Sequence, residues 1–203
     1  MITSLLIVDD FLRHADALRQ RALKLSYPNQ QGAFPGRNST ERLGIEGLDE
    51  AVSRLVGEPL EPVNPLQSHG KCRVTLATDT GKAKVHIDHS HWSGILFLSK
   101  DGDGQSGTDF FRHKRTGSER APINQPELQS MGYADMDAMH ADIIERDSND
   151  DEAWERTMRV PMRFNRLILL RPFLWHTAGP GFGDKLANAR LVYLMFFNRK
   201  PYG

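Results

Sequence analysis

Residues Lys84 to Leu98 read K-V-H-I-D-H-S-H-W-S-G-I-L-F-L. Side chains two apart on an extended strand point to one face, so His86 and Asp88 project an imidazole and a carboxylate together from a rigid element. Beyond them, Gly94-Ile95-Leu96-Phe97-Leu98 is an apolar run bounded by polar residues and reads as a buried strand. One histidine from elsewhere completes a two-histidine, one-carboxylate facial triad. That ligand set suits non-haem Fe(II), because it leaves adjacent coordination positions open. His176, in Leu174-Trp175-His176-Thr177, is the candidate.

The chain of 203 residues is long enough for one domain with a real core. Lys plus Arg and Asp plus Glu number 26 each, so nothing global points to nucleic acid or an anionic membrane. Cys72 is the only cysteine, which excludes an internal disulfide and fits a reducing compartment. It lies in an alternating segment and reads as a core thiol. The apolar start M-I-T-S-L-L-I-V lacks a basic n-region and runs into Asp9-Asp10, unlike a signal peptide. No run approaches a spanning helix. A soluble, cytoplasmic protein is expected.

Taken in order, 2–8 reads as a strand and Asp9 or Asp10 as an N-cap. Phe11, Leu12, Ala15, Leu18, Ala22 and Leu25 then follow at helical spacing, with His14 on the polar side. Prolines and glycines make 26–42 a loop, on which Arg37 is placed to reach a carboxylate. A second helix is expected over 47–56, and Pro59, Pro62 and Pro65 mark a linker-like crossing. Alternation over 72–78 and 83–88 around Asp79-Thr80-Gly81 predicts a hairpin that carries His86 and Asp88 on its second strand. The D-G-D-G at 101–104 lacks EF-hand spacing and reads as a tight turn. Residues 108–113, 165–171 and 189–197 read as strands. Between them, 116–159 is polar, with Met131, Met136 and Met139 and the acidic run 145–152. It reads as a helical insertion with a solvated acidic face, placed to act as a lid. The expected fold is mostly β with flanking helices: N-terminal supports over 1–70 and a core of 71–115 and 160–198.

The order His-x-Asp, G-I-L-F-L, G-T-D-F, N-R-L-I-L-L, His176 and a final-strand arginine resembles the Fe(II)/2-oxoglutarate-dependent oxygenases, in particular their prolyl-hydroxylase-like branch and small bacterial relatives. The resemblance covers about 71–198. It implies a double-stranded β-helix of jelly-roll or cupin type, with His86, Asp88 and His176 as iron ligands and O2 and 2-oxoglutarate as co-substrates. Arg190 would pair with the distal carboxylate of 2-oxoglutarate, which a guanidinium fork matches bidentately. Members of that branch often place a tyrosine where this chain has Phe97. Thr75 or Tyr193 is then the hydroxyl expected to help. A carboxylate at Asp88, rather than the small residue of halogenating members, implies hydroxylation or a related oxidation.

His89 and His91 fall on the opposite face from His86 and Asp88 and read as supporting or exposed. His91, Trp92 and Arg37 are the weak substrate candidates, and His113 and His140 read as structural. The segment H-I-D-H-S-H also suits zinc, so a zinc-dependent hydrolase using the same His/Asp/His site is the alternative, although H-E-x-x-H is absent. A metal-free jelly-roll binding module is the third reading. The expected substrate is a small molecule, amino acid or peptidyl group, with no nucleic acid and no membrane partner. Oligomeric state is not readable.

Overall fold

The computed structural model describes residues 3–29, 32–100 and 106–201. Two antiparallel sheets carry the architecture. The larger runs β1 (Leu5–Val8), β8 (Leu167–Leu170), β5 (Trp92–Phe97), β10 (Arg190–Arg199), β4 (Lys71–Thr75), β2 (Arg37–Arg42), with β3 (Leu60–Pro62) also on β10. The smaller runs β7 (Trp154–Pro161), β6 (Gly107–His113), β9 (His176–Ala178). The expected turn at 101–104 lies outside the described residues.

The large sheet is buried on both faces, and the two-residue period assigns its side chains. Leu167, Leu169, Leu96, Leu191, Tyr193, Cys72 and Val74 pack beneath α1 (Ala15–Ala22) and α2 (Leu48–Val56). Ile168, Leu170, Phe97 and Val192 face the other way, toward Phe110 and Val160 of the small sheet. All four residues of β8 are fully buried. Burying each such side chain contributes about 1.5–3 kcal/mol, so a charge at Leu169 would break the layer. Residues Arg73 and Thr75 of β4 share the inward face with Arg190, since Thr75 is the cross-strand partner of Arg190 and Arg73 of Val192. The inter-sheet space therefore receives polar groups at one end of an apolar core.

Several expectations are corrected. Segment 83–88 is not the second strand of a hairpin with β4, which pairs instead with β10 and β2. His86 makes one antiparallel bridge, to His176. The supposed loop 26–42 ends in strand β2, and the proline-marked crossing contains β3 on β10. Both are short edge strands, where proline and polar residues are tolerated. Helix α1 begins only at Ala15, with no side-chain cap from Asp9 or Asp10. Asp9 instead pairs with Arg166 and Arg163, and Phe11 and Leu12 bond to Asn165. Residues 154–159, assigned to the insertion, belong to β7. The insertion's helices are α3 (Gln125–Ser130), α4 (Met136–Met139) and a π-helical turn, His140–Glu145. The acidic run is not wholly solvated: Asp147 and Ser148 are buried, with Asp147 bonded to buried His113.

Candidate metal centre

His176 enters from the start of β9 and His86 from the bridge opposite it. The pair exchange both backbone bonds, His86 N–H to the His176 carbonyl at 3.0 Å and the reverse at 3.1 Å. Cross-strand partners project to one side, so the two rings meet with centroids 4.5 Å apart. Asp88, two residues on, turns the same way as the period predicts. Its carboxylate lies 3.8 Å from His86 Nε2 and 3.4 Å from His176 Nε2. One ligand atom from each residue lies within 4.8 Å of the others, the only such cluster among the described residues.

Hydrogen bonds orient these ligands. His86 Nδ1 lies 2.8 Å from the Lys84 carbonyl and His176 Nδ1 2.7 Å from the Leu174 carbonyl. A carbonyl only accepts, so Nδ1 carries the proton on each ring and Nε2 is left to face the centre. Ser93 Oγ donates to Asp88 Oδ2 at 2.6 Å, and the Asp88 N–H donates to the Pro172 carbonyl. Burial, then the neighbouring His176, pushes His86 down to about 4. Burial opposes charge on Asp88 and His176 too, yet their mutual contact outweighs it. Asp88 is held well below the usual carboxylate range and His176 is raised above the ordinary imidazole value. A neutral His86 and an ionised Asp88 present a lone pair and a negative charge to the same point, the donor set that a divalent cation takes.

Arg190 lies on the inward face of β10 and is 2% exposed. Its Nη2 donates to the Gly107 carbonyl at 3.1 Å and its guanidinium sits 5.8 Å over the Phe97 ring. Its Nε is buried and without a partner among the described residues, as is the hydroxyl of Thr108. Buried polar atoms are nearly always paired, so this space fits an anion with several acceptors. Burial, and next the charge of Arg73, pushes Arg190 down to about 10. Arg73 itself is bonded to the Phe34 and Pro35 carbonyls and to Asn38. It thereby holds the loop whose Phe34 ring lies 4.1 Å from that of His86. Within this loop Gly36 has φ +89°, and a Cβ there would clash with the Val74 carbonyl.

Not every candidate joins the centre. Thr75 is buried opposite Arg190. Tyr193 is corrected: three residues from Arg190, it faces the helices and donates to the Leu43 carbonyl at 2.7 Å. Trp92 is also corrected, because its ring is wholly buried in the outer core, with Nε1 on Glu58 and Arg171 stacked 4.1 Å over it. His91 bonds Glu58 at 2.6 Å, and Glu58 also pairs with Arg171. Arg37 is held by Asn29 at 3.1 Å, near Asp79. Sequence reasoning missed Ser93, Thr108 and Arg73. Only Arg73 carried a signal, a cation alternating with apolar neighbours.

A cleft of about 480 Å³ opens at Asp88. Ile87, Pro172 and Phe173 line one side, Ala121, Pro122 and Met136 of the insertion line another, and His89, His91 and Asn198 add polar edges.

The fold is similar to that of solved proteins that include 2-oxoglutarate-bound and alpha-ketoglutarate-dependent ones. HygX from Streptomyces hygroscopicus, solved with nickel, 2-oxoglutarate and hygromycin B bound, matches with a TM-score of 0.56 at 12% identity, over 97% of this chain and 83% of HygX. AviO1 from Streptomyces viridochromogenes Tue57 matches at 0.54 and 11% identity, over 98% and 93%. SnoK, a non-heme alpha-ketoglutarate-dependent carbocyclase from nogalamycin biosynthesis, matches at 0.53 and 13%, over 96% and 79%. Comparison with curated proteins returns no match. The chain belongs to the family described as "Family of unknown function (DUF6445)", whose model matches residues 2–197. Among the described residues no helix is long and apolar enough to cross a membrane.

Proposed function

We propose that this protein is an Fe(II)- and 2-oxoglutarate-dependent dioxygenase that hydroxylates, or otherwise oxidises, an unactivated C–H bond. The substrate is a small molecule, amino acid or peptidyl group. The observation that carries the reading is the convergence of His86, Asp88 and His176, each oriented by a hydrogen bond, in a protein whose buried Arg190 guanidinium has an Nε without a partner among the described residues. Iron held there would couple O2 reduction to decarboxylation of 2-oxoglutarate, releasing succinate and CO2. His86 and His176 contribute Nε2 lone pairs and Asp88 a carboxylate oxygen, a set that leaves adjacent positions open. Arg190 fixes the distal carboxylate of 2-oxoglutarate, with the Thr108 hydroxyl and Thr75 beside it. Phe97 and Phe110 keep water from that end of the pocket.

The two sheets are read as a double-stranded β-helix forming one domain over 1–203, with the 116–153 part of the insertion as a lid. The cleft at Asp88 admits the substrate. Its lining offers Ile87, Pro122, Met136, Pro172 and Phe173 as apolar contacts, and no unpaired Lys, Arg or Glu. The portion of substrate lying in the cleft beside Asp88 therefore meets an apolar face, and HygX, solved with hygromycin B, is a precedent for a small molecule in this fold.

Anaerobic titration of Fe(II) and then 2-oxoglutarate tests the reading through the visible charge-transfer absorption of a chelated ferrous site. Absorption that His176→Ala abolishes is the expected result, followed by succinate release under O2. No absorption together with stoichiometric zinc binding would turn the assignment to a zinc-dependent hydrolase. Binding of neither metal would leave a non-catalytic module.

A further inference from the structure

His86 stands on a segment that belongs to no strand, so its backbone needs support that the sheets do not give. On one side it has the bridge to His176. On the other, where a neighbouring strand would lie, Ser148 of the insertion makes the bonds to the Lys84 and Val85 backbone. The Val85 N–H donates to the Ser148 carbonyl at 3.2 Å, Ser148 Oγ donates to the Val85 carbonyl at 2.8 Å, and the Lys84 N–H donates to Ser148 Oγ at 3.1 Å. The Lys84 carbonyl is the acceptor that orients the His86 ring. Ser148 is thus two bonds removed from the imidazole.

Ser148 is rigidly mounted. It is 4% exposed, and its N–H donates to the Ile144 carbonyl at 3.1 Å in the π-helical turn. Its neighbour Asp147 is bonded by His113 at 3.0 Å, and the Asp147 carbonyl accepts from Trp154 Nε1 at 2.8 Å. Asn149 adds a bond to the Lys82 carbonyl. The same insertion reaches forward through α4 to Met136 on the wall of the cleft. One element therefore lines the cleft and clasps the irregular segment that bears His86.

We propose that Ser148 is a positioning residue for the metal centre, fixing Lys84–Val85 so that His86 presents Nε2 to the cation. This rests on the metal-site reading above. Groups that orient metal ligands through hydrogen bonds contribute about 10- to 100-fold to metal affinity when removed. A matched control exists in Ser39, also buried, whose Oγ donates to the Glu41 carbonyl at 2.7 Å and accepts from the Cys72 N–H at 3.0 Å, within the β2–β4 pair.

The test is anaerobic Co(II) titration, read by d–d absorption, on the full chain and on Ser148→Ala, Ser148→Thr and Ser39→Ala. Ser148→Ala, which acts through the Lys84–Val85 backbone and not on the ring itself, is expected to weaken Co(II) by the lower end of that range, about tenfold, and to change the band shape at saturation, and Ser148→Thr, which keeps the hydroxyl, to restore much of both. Ser39→Ala, losing equivalent backbone bonds, is expected to stay within about twofold of the parent. A Ser148→Ala variant that binds like the parent, or a Ser39→Ala variant that loses as much, overturns the clasp alone. A parent protein that binds no Co(II) overturns the metal site and the clasp with it. Should Ser148→Ala not fold, amide exchange of the parent decides: linkage requires Co(II) to slow the Lys84 and Val85 amides, and unchanged rates there overturn the proposal.

Discussion

Replacing Arg190 by methionine separates a co-substrate anchor from a structural cation. The side chain is 2% exposed, donates a hydrogen bond to the Gly107 carbonyl and, among the described residues, leaves Nε without a partner. Burial and Arg73 push it from 12.5 down to about 10. Truncating one partner of a buried, hydrogen-bonded charge pair costs about 2–5 kcal/mol, and roughly 3 kcal/mol is about a hundredfold in affinity. Methionine fills most of the stem's volume with no charge. The Arg190→Met protein should therefore bind 2-oxoglutarate about a hundredfold more weakly, by anaerobic titration of the Fe(II)-loaded form. Without ligands it should melt no lower than the parent, because an uncompensated buried charge has been removed. Fe(II) binding should be unchanged. A 2-oxoglutarate affinity within about threefold of the parent, or a loss of about 2 kcal/mol in stability, would refute the argument.

Two further outcomes follow from the same geometry. Ser93→Ala removes the 2.6 Å bond to Asp88 Oδ2 and should weaken Co(II) about tenfold, with little effect on 2-oxoglutarate affinity once the metal is saturating. Parent-like Co(II) affinity would show that Asp88 does not need Ser93. For Asp147, the Arg146 hydrogen bond first, with His113 next among the favourable partners, holds the carboxyl well below its ordinary 3.8 despite burial. A depressed carboxyl stabilises the fold above its unfolded value and loses that contribution as pH falls toward its folded value. The stability gap between parent and Asp147→Asn, from urea unfolding, should thus be full at about pH 6 and shrink steadily below about pH 4; a gap independent of pH would contradict it.

The apolar strands β5, β8 and β10 were legible because a sheet buried on both faces leaves near-continuous apolar runs. The edge strands β2 and β3 were not, since an edge needs little apolar pattern and its pairing depends on what lies alongside. Tyr193 was readable and misread: its odd separation from Arg190 already places it on the other face. Ser148 was unreadable, because nothing local in E-R-D-S-N-D distinguishes a serine in a solvated run from one that replaces a strand.

By itself, then, the sequence determined which groups exist and which share a face of their own segment: His86 with Asp88, Arg190 on an apolar strand, and His176 as a candidate far along the chain. Both follow from chemistry and a two-residue period, and neither needs a neighbour. The tertiary structure alone decided which backbone supports the ligand strand and which hydroxyls stay unpartnered, since these depend on segments more than sixty residues apart meeting at hydrogen-bond distance.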